Sequence, residues 1–217
     1  LEGKMSELFE RLSKTRKVVA ITERIPAERL LHPEGAAAHP DPHVWFDVSL
    51  WRLCIAPIVD ALSAADPTNV KVYEQRGEQA KERLTQLHAW ARAKAAELPV
   101  EQRILVTSHD AYGYFGRAYD FQVIGLQGIS TVSEAALSDV ANLVDYIRKH
   151  RIKAIFVESS VPHATIERIA QDAKVRIGGE LFSDAMGTPG QMERGYDLGT
   201  YDGMIYHNLS TIVEALK

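Results

Sequence analysis

The first part of the chain carries apolar residues mainly at helical spacing. One short apolar run, Val18 to Ile21, predicts a buried strand, and residues 25–42 form a loop rich in proline, glycine, alanine and histidine. Asp41 and Pro42 then predict the start of a helix, because aspartate caps helix N-termini and proline is favoured at the first helical position. Apolar residues at helical spacing extend this helix to about residue 64.

A second, much longer helix is predicted from Pro67 to about Leu98, directly before Pro99. Its apolar residues recur mostly every three or four positions along one face, and its other positions are rich in charged and amide side chains. At 1.5 Å per residue such a helix is roughly 45 Å long. A helix of this length can connect two lobes.

After the long helix, short apolar runs alternate with helical patterns. The predicted strands centre on residues 104–106, 123–126, 154–157 and 175–177, and the predicted helices cover about 110–119, 135–150, 163–173 and 197–216. This alternation predicts an α/β fold with a mostly parallel sheet covered on both faces. In such sheets, ligands bind beyond the carboxyl ends of the strands.

Composition narrows the function classes. The chain has 217 residues, 46% of them hydrophobic, and a formal net charge of −4 without a basic stripe, so neither disorder nor nucleic-acid binding is favoured. The single cysteine, Cys54, excludes an internal disulfide and a cysteine-rich zinc cluster, so a metal site must use histidine and carboxylate ligands. No run approaches the eighteen or so apolar residues of a membrane-spanning helix, so no membrane insertion is predicted.

Three segments place a possible metal ligand at the edge of a predicted element. His43 lies in Asp-Pro-His-Val-Trp, His109 in Thr-Ser-His-Asp-Ala after one predicted strand, and Asp184 in Phe-Ser-Asp-Ala after another. Because His109 and Asp184 follow the carboxyl ends of strands, they are expected at the same edge of the sheet. His43 lies on the other side of the long helix in sequence, which predicts a site between two lobes. Imidazole and carboxylate ligands suit borderline divalent ions such as zinc.

These segments closely resemble those of the TroA-like metal-binding proteins of ABC transporters, from about Glu2 to the C-terminus. The resemblance implies two α/β lobes joined by one long helix, with a metal held between them by four side chains. His43, His109 and Asp184 correspond to the second, third and fourth ligands, whereas the first, an N-terminal histidine, has no counterpart. We therefore expect a fragment with an incomplete N-terminal lobe. The expected divisions are residues 1–65 for that lobe, 66–98 for the linking helix and 99–217 for the C-terminal α/β lobe.

The resemblance also implies a function. It indicates an extracytoplasmic solute-binding protein, periplasmic or anchored at the cell surface, which captures Zn²⁺ or Mn²⁺ and delivers it to an ABC transporter permease. Such a protein is not an enzyme. Some relatives have glutamate where this chain has His109 and resemble dedicated manganese binders, so the imidazole favours zinc here. Asp47 and Glu158 are predicted to accept the second ring N–H of the ligating imidazoles, as carboxylates commonly do.

Other interpretations remain open at the sequence level. Taken singly, His43 suits a solvated helix start, His109 a buried structural imidazole, and Asp184 the cap of a turn. The alternative function is a metal-dependent hydrolase that uses the same ligands and activates water at an open coordination position. A third is a binding module or surface adhesin without a metal. His39 is interpreted as a loop residue, because intervening prolines prevent a helical pair with His43.

Overall fold

The computed structural model describes residues 5–32, 40–127 and 137–217, so His39 lies outside the described part. The chain folds as two compact units, Leu1–Ala89 and Trp90–Lys217. Their boundary falls inside the longest helix, which runs from Val70 to Ala95 and is the predicted long helix. The proposed three-part division of the chain stays a prediction.

The first unit is helical. Its α-helices are α1 (Met5–Ser13), α2 (Val48–Trp51), α3 (Ile55–Ala65) and most of α4 (Val70–Ala95). Short 3₁₀ turns lie at Ala27–Arg29, Val44–Phe46, Arg52–Cys54 and Pro67–Asn69. Pro67 opens the turn that leads into α4, where proline can substitute for a residue whose N–H would have no helical partner.

The helix predicted to begin at Asp41 and Pro42 begins later, at Val48. Its cap is Asp47, whose Oδ1 accepts hydrogen bonds from the N–H groups of Ser49 at 2.9 Å and Leu50 at 3.3 Å. The carboxylate of Asp41 instead accepts the backbone N–H of His43 at 2.9 Å. Asp41, the predicted cap, thus bonds within a local turn and not at the start of the helix.

The strand predicted at Val18 to Ile21 is also wrong. These residues belong to no strand in the described ranges, and Val18 and Val19 are each 40% exposed. An apolar run becomes a strand only when a neighbour satisfies its backbone groups, and no described strand pairs with this one.

The second unit contains the predicted α/β sheet. Its main strands are β1 (Ile104–His109), β2 (Gln122–Gln127), β3 (Ala154–Glu158) and β4 (Arg176–Leu181). β1 pairs in parallel with β2, β3 pairs in parallel with β4, and β1 lies beside β3. The last residues of β1 and β3, His109 and Glu158, are hydrogen-bonded to each other, so the carboxyl ends of the two strands lie together.

Helices cover this sheet as predicted. They are α5 (Gly113–Tyr119), α6 (Leu137–His150), α7 (Ala164–Ala173) and α8 (Tyr201–Leu216). α6 and α7 bury apolar side chains such as Ile147 and Ile169 against β1 and β3, and α8 packs on β4. A small antiparallel hairpin, β5 (Met192–Glu193) and β6 (Tyr196–Asp197), was not predicted, because two-residue strands carry no periodic signal.

One helical stretch in the described residues, Val48–Ala65, is long and apolar enough by length and composition to cross a membrane. The prediction that no run approaches that length was therefore wrong, because only Arg52 and Asp60 carry charge within these eighteen residues. Helices of soluble proteins also pass this test, so it is weak evidence for a membrane span. The absence of membrane insertion stays a prediction.

Cys54 lies within this stretch, and burial raises the pKa of its thiol to about 11, so the thiol remains protonated at neutral pH.

Candidate metal centre

His109 is the last residue of β1 and is completely buried. Glu158, the last residue of the neighbouring strand β3, is equally buried and contacts it twice. The His109 N–H donates to Glu158 Oε1 at 2.9 Å, and Glu158 Oε2 lies 2.6 Å from His109 Nδ1. The two neighbouring strands end together, so their last side chains meet, as predicted for Glu158.

This contact determines which ring nitrogen of His109 can act as a ligand. A carboxylate beside Nδ1 favours the proton on that nitrogen, which leaves the lone pair on Nε2. Nε2 faces Asp184, whose Oδ2 lies 3.5 Å away. The carboxylate of Glu158 therefore orients the imidazole with the lone pair of Nε2 toward Asp184.

The spacing between His109 Nε2 and Asp184 Oδ2 suits two ligands of one ion. Zinc–nitrogen and zinc–oxygen bonds of roughly 2.0–2.2 Å in a tetrahedral site place neighbouring ligand atoms about 3.4 Å apart. The observed separation is 3.5 Å. Asp184 follows the end of β4 by three residues, and its side chain is 29% exposed, so it forms the solvent side of this pair.

Tyr112, three residues after His109 in sequence, contacts the segment that carries Asp184. Its hydroxyl is buried and donates to the carbonyl oxygen of Phe182 at 3.1 Å. Burial raises the pKa of the Tyr112 hydroxyl well above its ordinary value, and the negative charges of Glu158 and Asp184 raise this pKa further. Tyr112 is therefore a neutral hydrogen-bond donor. Sequence reasoning did not select it, although it lies in the same segment as His109.

His43 lies in the first unit and is fully buried just before the turn Val44–Phe46. Its Nδ1 donates to Asp41 Oδ1 at 2.7 Å, and its backbone N–H donates to the same oxygen. Asp41 is itself 4% exposed. Like His109, His43 thus has a carboxylate at Nδ1 and carries its lone pair on Nε2.

The carboxylate at His43 is not the predicted one. Asp47 caps α2, whereas Asp41, two residues before His43, contacts its ring. The signal that could have identified Asp41 is the aspartate's tendency to bond backbone groups two residues ahead. The structure thus brings His109 and Asp184 together in the second unit, while His43 has an equivalent carboxylate partner in the first.

Comparison with known proteins identifies relatives with related functions. The family model described as zinc-uptake complex component A, periplasmic, matches residues 1–215. The zinc-binding protein TroA of Treponema pallidum (strain Nichols) is 47% identical over 221 residues, covering 100% of this chain and 70% of TroA. The manganese-binding lipoprotein MntA of Bacillus subtilis (strain 168) is 42% identical over 222 residues, covering 100% of this chain and 71% of MntA.

A solved structure gives the same result for the fold. The periplasmic zinc-binding protein TroA from Treponema pallidum matches with a TM-score of 0.90 and 45% identity, covering 98% of this chain and 76% of that one. This match confirms the predicted TroA-like α/β fold. The family description and the lipoprotein relatives agree with the predicted extracytoplasmic location. Members of this family are metal-binding components of transporters and not enzymes, so the hydrolase alternative has no support. The chain therefore belongs to the zinc-uptake complex component A family of periplasmic metal-binding proteins.

Proposed function

We propose that this protein captures a divalent metal ion outside the cytoplasm and delivers it to the permease of an ABC transporter. Its proposed ligands are His43, His109 and Asp184. The observation that carries the proposal is the 3.5 Å spacing between His109 Nε2 and Asp184 Oδ2, with a buried carboxylate at the opposite nitrogen of the imidazole. An imidazole held in this way is a common zinc ligand.

The inclusion of His43 rests on the equivalence of the two histidines. Each imidazole is fully buried, and each has a carboxylate oxygen within 2.7 Å of Nδ1. A buried imidazole with this orientation directs Nε2 away from its carboxylate and toward a ligand. His43 also lies in one of the motifs shared with the TroA-like proteins.

The ligand set favours zinc over manganese. Two imidazoles and one carboxylate bind zinc more tightly than manganese in the usual order of divalent affinities. The relatives include both a zinc-binding and a manganese-binding protein. We infer that zinc binds with the higher affinity. Manganese is carried where its concentration is high enough to offset its weaker binding.

Titration of the metal-free protein with Zn²⁺, Mn²⁺ and Mg²⁺ tests this proposal. We expect one zinc per chain with the highest affinity, weaker manganese binding and no magnesium binding, because magnesium prefers oxygen ligands and keeps its waters. Calorimetry measures the affinity, and tryptophan fluorescence gives a second signal, since the Trp45 ring lies 5.2 Å from that of His43. Absence of zinc binding would overturn the proposal.

Delivery to the permease is tested separately, by measuring zinc uptake into vesicles that contain the permease, with and without this protein.

Replacing Glu158 with glutamine is expected to lower zinc affinity about ten- to hundredfold. Glutamine has nearly the same shape and can still accept the His109 N–H, but it removes the negative charge beside Nδ1. The same loss is expected for Asp41→Asn at His43. Calorimetric titration of each variant with zinc measures the effect.

Asp47→Asn is the matched control for these two variants. Asp47 caps α2 through the N–H groups of Ser49 and Leu50, and asparagine is an equally good cap. Its zinc affinity should therefore equal that of the unaltered protein. If Asp47→Asn lowers zinc affinity as much as Asp41→Asn does, the negative charge of nearby carboxylates supports binding, and not the contact of Asp41 with the His43 ring.

A further inference from the structure

A side chain of the C-terminal helix holds the segment that carries Asp184 by two hydrogen bonds. Asn208, on α8, is 1% exposed and bonds both backbone groups of Phe182. The Phe182 N–H donates to Asn208 Oδ1 at 2.9 Å, and Asn208 Nδ2 donates to the Phe182 carbonyl at 2.7 Å. The asparagine amide thus pairs with a peptide group in the way a neighbouring strand would. It does so one residue after β4 ends and two residues before Asp184.

Two further contacts fix the same segment. Tyr112 donates its hydroxyl to the Phe182 carbonyl at 3.1 Å, which links the segment to the one that follows His109. The hydroxyls of Ser183 and Ser160 lie 2.7 Å apart, which links it to the residues that follow Glu158. Asn208 is the only one of these groups that bonds both Phe182 backbone atoms in the described residues.

These contacts matter because the next residues are exposed. Residues 184–186 lie at the surface, directly after buried Ser183. An exposed loop that is free to move must be ordered when it binds a ligand, and this entropy cost reduces affinity. A buried double hydrogen bond two residues away orders the backbone before the metal arrives.

We infer that Asn208 is a positioning residue, which keeps Asp184 at its ligand distance from His109 through the backbone of Phe182. This inference rests on the proposed metal-binding function. Asn208 is not itself a proposed ligand. It acts by limiting the conformations available to the loop that carries the ligand.

Asn208→Asp is the direct test, because it preserves shape and the acceptor for the Phe182 N–H but places an oxygen opposite the Phe182 carbonyl. We expect zinc affinity to fall about ten- to hundredfold, the range seen when groups that orient ligands are removed. The absorption spectrum of bound Co²⁺ should also change, because the geometry of the Asp184 carboxylate changes. In the metal-free protein, hydrogen exchange at the Phe182 and Ser183 amides should accelerate at temperatures well below unfolding.

Val213→Ala is the control for lost stability. Val213 lies on the same helix and is completely buried, so its truncation destabilises the unit without removing a hydrogen bond to Phe182. Zinc affinity and amide exchange at Phe182 should remain unchanged in this variant at temperatures where it is folded. The inference is overturned if Asn208→Asp binds zinc as tightly as the unaltered protein, or if Val213→Ala loses as much affinity. A failure of the unaltered protein to bind zinc overturns the proposed function itself and this inference with it, and is seen in the same titration series.

Discussion

Replacement of His109 with alanine is expected to lower zinc affinity about 100- to 1000-fold. Zinc bound by four protein ligands gains roughly 10–16 kcal/mol, so one ligand accounts for about 2.5–4 kcal/mol. The substitution also leaves the buried carboxylate of Glu158 without the imidazole it contacts at 2.6 Å. Both effects act on the same site, so the expected loss is the largest of any single substitution considered.

Two measurements quantify this loss of zinc affinity. Calorimetric titration gives the affinity, and the rise in melting temperature on adding zinc gives an independent value, since a ligand that binds only the folded state stabilises it by RT ln(1 + c/Kd), where c is the free ligand concentration. At a zinc concentration that raises the melting temperature of the unaltered protein, His109→Ala should show almost no rise. His150→Ala is the control, because His150 is an exposed residue at the end of α6 and stacks on Tyr146.

The double variant His109→Ala with Asp184→Ala tests whether the two side chains bind the same metal ion or act independently. If both side chains bind one ion, the second substitution costs much less than it does alone, because the site is already broken. Additive losses would contradict the shared ligand role that their 3.5 Å spacing supports.

Three of the four parallel strands described in the second unit were predictable from sequence, because each contains a short apolar run beside a helical pattern, whereas β4 contains Arg176, two glycines and Glu180 and is mostly exposed or half-buried. β1, β2 and β3 contain the runs predicted at 104–106, 123–126 and 154–157, although their ends differ by up to three residues. His109 and Asp184 were predictable for the same reason, since they follow strand ends. Their mutual contact then depends on β1 and β4, which both lie beside β3, ending at the same place.

The carboxylate partner of His43 was not predictable in the same way. Asp47 was chosen because it lies one helical turn after His43, but His43 precedes a 3₁₀ turn and is not in an α-helix. The spacing of four residues therefore places Asp47 at the cap of α2 and not beside the imidazole. Because α2 begins at Val48 and not near Pro42, the carboxylate beside the His43 ring is that of Asp41 and not that of Asp47.

The contact between Asn208 and Phe182 shows a different limit of sequence reasoning. The two residues are 26 positions apart, and neither carries a local pattern that signals the other. Their pairing follows from the packing of α8 on β4, which is a tertiary feature. Propensity and periodicity describe each element alone, so they cannot identify such a contact.

Substitution of Gly125 with alanine is expected to destabilise the second unit by about 3 kcal/mol and to weaken zinc binding at least about tenfold. Gly125 lies on β2 opposite Thr107 of β1. A Cβ at this position would approach the backbone nitrogen of Asp110 to 2.6 Å and the carbonyl carbon of His109 to 2.8 Å. These are main-chain atoms, which cannot rotate away as a side chain does, so β1 must shift where it presents His109.

Gly195→Ala distinguishes this steric effect from the general cost of replacing a glycine. Gly195 has φ +86° in the hairpin turn, and an added Cβ meets no atom within 4 Å. Its replacement therefore costs about 1–2 kcal/mol of backbone strain without moving a ligand. Denaturant unfolding and zinc titration of both variants give the comparison. Gly195→Ala should lose stability and retain zinc affinity, whereas Gly125→Ala should lose both, because the displaced backbone belongs to a proposed ligand. Retention of zinc affinity in a folded Gly125→Ala protein would mean that the end of β1 tolerates displacement, and that the close packing of β2 against His109 does not position the ligand.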